Sequence, residues 1–124
     1  MRYLILIQSN PRSRALWETL TDEQRMEFGR GHMALREELA ASGELVVSQG
    51  LADPALAKRV WVADGETMSS DGPFAEVKEY LAGFYLVDCE TEEQALAWAA
   101  KTPDAQLGGH VEVRPILVMR TLDL

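Results

Sequence analysis

Cysteine is nearly absent from this chain. Cys89 is the only one in 124 residues, so no internal disulfide can form, and a reducing, cytoplasmic setting is expected. Bases are scarce as well: 12 Lys and Arg stand against 20 Asp and Glu, for a net charge of −8 and a pI near 4.7. A field of that sign repels a phosphate backbone, so no nucleic-acid partner is expected. The longest apolar runs, such as YLILI and PILVM, fall far short of the roughly 20 residues a membrane span needs. The opening MRYLILIQSN has no small-residue cleavage site and reads as a strand, not a signal peptide. Motifs are missing too: there is no phosphate loop, no GxGxxG, no GxSxG elbow and no HxH or HExxH spacing. His32 and His110 fall on separate elements, so neither a metal nor a cofactor is expected.

What the chain does have is apolar residues, 47% of the total, and a length that suits one domain over residues 1–124 with a packed core. RYLILIQ (2–8) reads as a strand. A polar loop follows at 9–20, where Pro11 discourages helix. Thr21, with Gln24 three residues on, has capping-box spacing and opens a helix that Gly43 stops. ELVVSQGL and KRVWVAD are two strands separated by a Pro-containing loop at 52–57. GFYLVDC (83–89) is another strand, and Thr91 caps a helix that ends before Pro103. Residues 109–120 close the chain as one long strand. This order predicts an α+β, ferredoxin-like split βαβ fold, an antiparallel sheet with two helices on one face.

The strands carry a second message. Tyr3, Ile5 and Ile7 point one way and Leu4 and Leu6 the other; Phe84 and Leu86 oppose Tyr85, Val87 and Cys89. A sheet wetted on one face would alternate apolar with polar. Two helices cover only one face, so a second copy of the chain is expected on the other, as a homodimer with sheet packed on sheet.

The stretch DGPFAEVKEYLAGFYLVD, followed by EEQALAWAAKTP and a terminal GHVEVRPI, resembles the YCII-related family and, within it, the DGPF-domain proteins named for that tetrapeptide. The resemblance runs from RYLILI to VEVRPI. It implies a dimeric α/β barrel, in agreement with the reading above, and much less about activity. Many DGPF proteins have no assigned reaction, some are associated with extracytoplasmic-function sigma factors, and relatives in the superfamily include a chloromuconolactone dehalogenase. The superfamily's proposed site pairs a helix histidine with an aspartate near the sheet.

Two residues match that pair. His32 follows Phe28 and precedes Leu35 and Leu39 on the apolar stripe of the first helix. Asp71 opens the DGPF segment, where an aspartate before Gly-Pro can hold an Asx-turn or N-cap. A core histidine bonded to backbone and a general acid–base imidazole both fit the first position, and a structural turn and an orienting carboxylate both fit the second. Arg36 or Lys78 would hold the carboxylate of a small organic acid or lactone. Phe74 fits a core anchor and is also a candidate for ligand contact. Cys89, beside Asp88, is a poor nucleophile. Trp17, Trp61 and Trp98 fit packing better than ligand stacking. An enzyme of unassigned reaction and a non-catalytic accessory or sensory module linked to a sigma-factor system both remain open.

Overall fold

The computed structural model describes residues 1–71 and 78–118. Its main sheet has four antiparallel strands in the order β2 (Leu45–Gly50), β5 (Tyr80–Asp88), β1 (Arg2–Ser9), β6 (Val111–Pro115). The long helices α2 (Asp22–Ser42) and α3 (Glu92–Ala100) connect β1 to β2 and β5 to β6, which is the ferredoxin-like split βαβ expected from the sequence. Both begin at the anticipated N-caps: Thr21 Oγ1 accepts from Gln24 N at 3.1 Å in the expected capping box, and Thr91 Oγ1 accepts from Gln94 N at 3.3 Å in a second one. Gly43 ends α2 at φ 82°, a left-handed conformation that a side chain would strain. No described helix is long and apolar enough to cross a membrane.

Alternation along the strands sorts the core. Tyr3, Ile5 and Ile7 of β1 and Tyr85 and Val87 of β5 are buried beneath Leu35 and Leu39 of α2 and Ala95 and Ala99 of α3. Each fully buried aliphatic here contributes about 1.5–3 kcal/mol through loss of water contact. The opposite face carries Leu4, Leu6, Phe84 and Leu86, paired directly across β1 and β5, with Gln49, Glu112 and Arg114 on the flanking strands.

Three expectations need correction. Residues 9–20 are not a loop, because Pro11–Glu18 forms helix α1. Proline disrupts a helix interior, but at the first turn its missing N–H has no intrahelical acceptor to lose. Asn10 supplies the cap, accepting from Ser13 N at 2.9 Å. The strand at 58–63 (β3) has an unforeseen partner, β4 (Glu66–Asp71), joined to it through Asp64 at φ 49° and Gly65 at φ 79°. Asp-Gly is a strong hairpin signal, since both turn positions need positive φ. This hairpin is a separate two-stranded sheet. Finally, among the described residues the last strand pairs over Val111–Pro115 and stops, because β1 runs out: Tyr3 faces Pro115, and Ile116 N reaches Arg2 O at 2.9 Å. Phe74, the candidate core anchor and ligand contact of the DGPF segment, lies outside the described residues.

Candidate functional site

The periodicity that builds α2 also aims His32. Phe28, His32, Leu35 and Leu39 share one stripe, and the two leucines are buried against the sheet while His32 sits half-buried nearer the start of the helix. Its imidazole stacks on Tyr85, with centroids 6.0 Å apart and planes at 18°, and Phe28 meets it edge-on at 5.1 Å.

Both ring nitrogens are engaged. Nδ1 lies 2.6 Å from the Tyr85 hydroxyl and Nε2 lies 2.7 Å from Asp104 Oδ1. The carboxylate accepts, so Nε2 carries the proton and Nδ1 accepts from the phenol. That assignment fits the phenol itself. Burial first, and then the Asp104 charge, push Tyr85 up to about 12, against a smaller opposing pull from Arg36. It therefore stays an O–H donor at neutral pH.

Asp104 reaches this position through local rules. After α3, Thr102 caps a short helix, α4 (Pro103–Gln106), accepting from Ala105 N at 3.3 Å while donating to Ala99 O at 2.8 Å. Asp104 falls in its first turn. Two glycines allow that turn to lie against α2 and the approach to β6. A Cβ on Gly31 would come 2.9 Å from Pro103 Cγ, and one on Gly109 would come 2.9 Å from Asp104 O. Neither position has room for a side chain.

A cavity of about 320 Å³ opens beside the pair, bordered by His32, Arg36, Ser48, Phe84, Tyr85 and Asp104 among others. Asp104 Oδ2 has no hydrogen-bond partner among the described residues, and neither does the Arg36 guanidinium. The site can thus offer a carboxylate oxygen and a cation to one small molecule. No group of three or more His, Cys, Asp or Glu side chains gathers to hold a metal among the described residues.

The carboxylate that faces His32 is therefore Asp104, not the expected Asp71. Asp71 ends β4 on the separate hairpin, with its side chain 83% exposed and 3.6 Å from Lys58. Lys78 borders neither this cavity nor His32; its backbone carbonyl accepts from Arg14 Nη2 at 2.7 Å. Arg36 does share the cavity with His32, one turn along α2. Sequence reasoning missed Asp104 and took Tyr85 for a sheet residue only. Thr-Pro-Asp at 102–104 signals a helix start, but nothing in it signals contact with a residue 72 positions earlier.

A family model described as the YCII-related domain matches residues 1–120. An uncharacterized protein of Rhizobium meliloti (strain 1021), R00369, is 33% identical over 125 residues, covering 100% of this chain and 98% of the relative. Among solved structures, the chain is similar to a 5-chloro-2-hydroxyhydroquinone dehydrochlorinase from Burkholderia phenoliruptrix AC1100 in complex with 2,5-dihydroxybenzoquinone. That likeness has a TM-score of 0.54, 16% identity and 94% coverage of each chain, and at such identity it is a likeness of fold.

Proposed function

The chain belongs to the YCII-related domain family, and from that premise we propose that it binds a small organic acid or lactone beside His32 and moves a proton on it. The observation that carries this reading is the 2.7 Å contact between His32 Nε2 and Asp104 Oδ1 at the wall of a cavity. Because both imidazole nitrogens are engaged, the atom that meets the ligand is the second oxygen of Asp104. It takes a proton from carbon next to a carbonyl, the electron pair passes to the carbonyl oxygen, and an enolate forms. Arg36 stabilises that developing anion. His32, donating to Oδ1, orients the carboxylate, and Tyr85 keeps the imidazole in the matching tautomer.

The test is solvent exchange. Small 2-oxo acids and lactones incubated with the protein in D2O should gain deuterium at the carbon next to the carbonyl, read by NMR. His32→Ala and Asp104→Asn should abolish the gain. Exchange that survives in both variants would refute the pair as the proton-transfer site.

One observation favours a second reading. A histidine with both nitrogens satisfied inside its own chain can serve as a rigid wall, as an accessory or sensory module of a sigma-factor system would need. Saturable binding beside His32 without exchange for any bound acid would support that module instead.

A further inference from the structure

A second cavity, of about 230 Å³, shares Phe28, Ala82 and Asp104 with the first. Helix α1 supplies one wall, and that wall is held firmly. The Trp17 ring meets Phe28 edge-on at 5.3 Å, Arg25 lies 5.2 Å over the indole, and Arg25 Nη2 donates to the Trp17 carbonyl at 3.0 Å. Leu20 and Leu107 extend a largely apolar lining, and His110, 3.9 Å from Glu79 Oε1, stands at its edge.

Arg14 borders this cavity and not the first. Its side chain is half-buried. Nη1 donates to Ser9 Oγ at 3.1 Å, Nη2 donates to the Lys78 carbonyl at 2.7 Å, and the guanidinium lies 5.2 Å from the Tyr80 ring centroid. All three partners are neutral. Among the described residues no carboxylate lies within ion-pair distance of Arg14, although the chain carries 20 acids. A half-buried cation with no counter-ion among the described residues bears a desolvation cost that an incoming anion offsets, and a guanidinium fork with N–H groups to spare matches a carboxylate. Asp104, on the wall shared by the two cavities, repels that same anion. The pocket is thus polarised: anion at Arg14, uncharged ring between Trp17 and Leu107, far edge of the ring toward Asp104.

We propose that this cavity is the ring-binding subsite of the protein and takes a planar aromatic or cyclic carboxylate, its carboxylate on Arg14. What happens at Asp104 rests on the acid–base reading above; the binding itself does not.

The probe is 2-naphthoate, followed by quenching of tryptophan emission, with the neutral 2-naphthalenemethanol as its partner. Saturable quenching by 2-naphthoate is expected, and Trp17→Phe should remove it; quenching that persists in that variant would place the ligand elsewhere and overturn the subsite. Arg14→Gln should weaken 2-naphthoate by about tenfold or more, as loss of one charge-assisted pair implies, and leave the neutral alcohol within about twofold. Retained binding of the alcohol also shows that the variant is folded. An equal loss for both ligands, or for neither, overturns the assignment. So does an equal loss in Arg12→Gln, an exposed arginine on the same helix, because it would mean diffuse charge. Ring-acid binding without deuterium exchange in any acid sinks the acid–base reading alone. Exchange on small acids with no binding of 2-naphthoate sinks the subsite alone.

Discussion

His32 Nε2 stands 2.7 Å from Asp104 Oδ1, joining the middle of α2 to the first turn of α4 across 72 positions of sequence. The pair is partly shielded, with side-chain exposures of 25% and 19%, so the contact is less screened than a surface ion pair. Asp104→Asn keeps the shape and an acceptor for Nε2–H, and should leave stability within about 1 kcal/mol while removing exchange. Asp104→Ala strands the donor and should cost about 1–3 kcal/mol. Urea midpoints for the two variants separate the charge from the hydrogen bond.

Gly31 and Gly29 make a matched comparison on one helix. Alanine at 29 meets nothing within 4 Å, so the ordinary helix preference for Ala over Gly should stabilise the protein by about 0.5–1 kcal/mol. Alanine at 31 meets the Pro103 ring at 2.9 Å, an overpacking cost of about 1–3 kcal/mol that exceeds the same gain. Gly31→Ala should therefore lower the melting temperature and loosen the Asp104 turn, seen as a shifted His32 imidazole resonance. A melting temperature raised equally by both substitutions would show that α4 yields freely.

Alkaline pH should weaken the fold in a defined window. Burial, then a hydrogen bond with Glu44 and its charge, raise Cys89 from 9.0 to about 12, and Tyr85 rises from 10.0 to about 12. For both groups the folded chain holds the proton more tightly than the unfolded chain. Their contribution is complete below about pH 9 and is lost as pH climbs toward 12. Denaturant midpoints should be flat in this respect up to pH 9 and then fall. Cys89→Ala should delay the onset by about one unit, to the range where the two tyrosines with raised pKa values, Tyr3 and Tyr85, act. The same buried, protonated thiol should resist a thiol reagent at pH 7–8 until the protein is unfolded.

Assembly follows from the helix-free face, where Leu4, Leu6, Phe84 and Leu86 form an apolar block across β1 and β5. Val60, Trp61, Val62 and Met68 of the separate β3–β4 hairpin are also exposed in a single chain, Trp61 and Met68 on one of its sides and Val60 and Val62 on the other. A homodimer burying more than about 1,000 Å² is expected. Light scattering should give twice the 13.8 kDa chain mass, and Leu86→Lys should yield monomer or aggregate. A wild-type monomer across micromolar concentrations would exclude the dimer.

How much of this was legible in the residues differs from element to element. Thr21–Gln24 and Thr91–Gln94 spell capping boxes, and both helices start there. The stripe from Phe28 to Leu39 turned His32 inward, as it had to once Leu35 and Leu39 entered the core. These are short-range codes of hydrogen bonding and periodicity, readable within a few residues. Pro11 and Asp64-Gly65 carry local signals too: proline fits the first turn of a helix as well as breaking its interior, and Asp-Gly between two β-prone runs marks a hairpin.

Order of strands, capped helices and the inward face of α2 were determined by the sequence itself, because each depends on neighbours one to four positions away. Tertiary structure alone decided which carboxylate meets His32. Asp71 and Asp104 are equivalent as residues, but one rides an exposed hairpin and the other a turn seated where Gly31 and Gly109 leave no side chain in the way. It also decided that Tyr85, one inward residue of a sheet strand, lies under the imidazole, and that Arg14, on a helix the sequence did not announce, borders a cavity shared with Asp104. Contacts between segments depend on how closely backbones can approach, and a linear pattern of polar and apolar residues does not encode that distance.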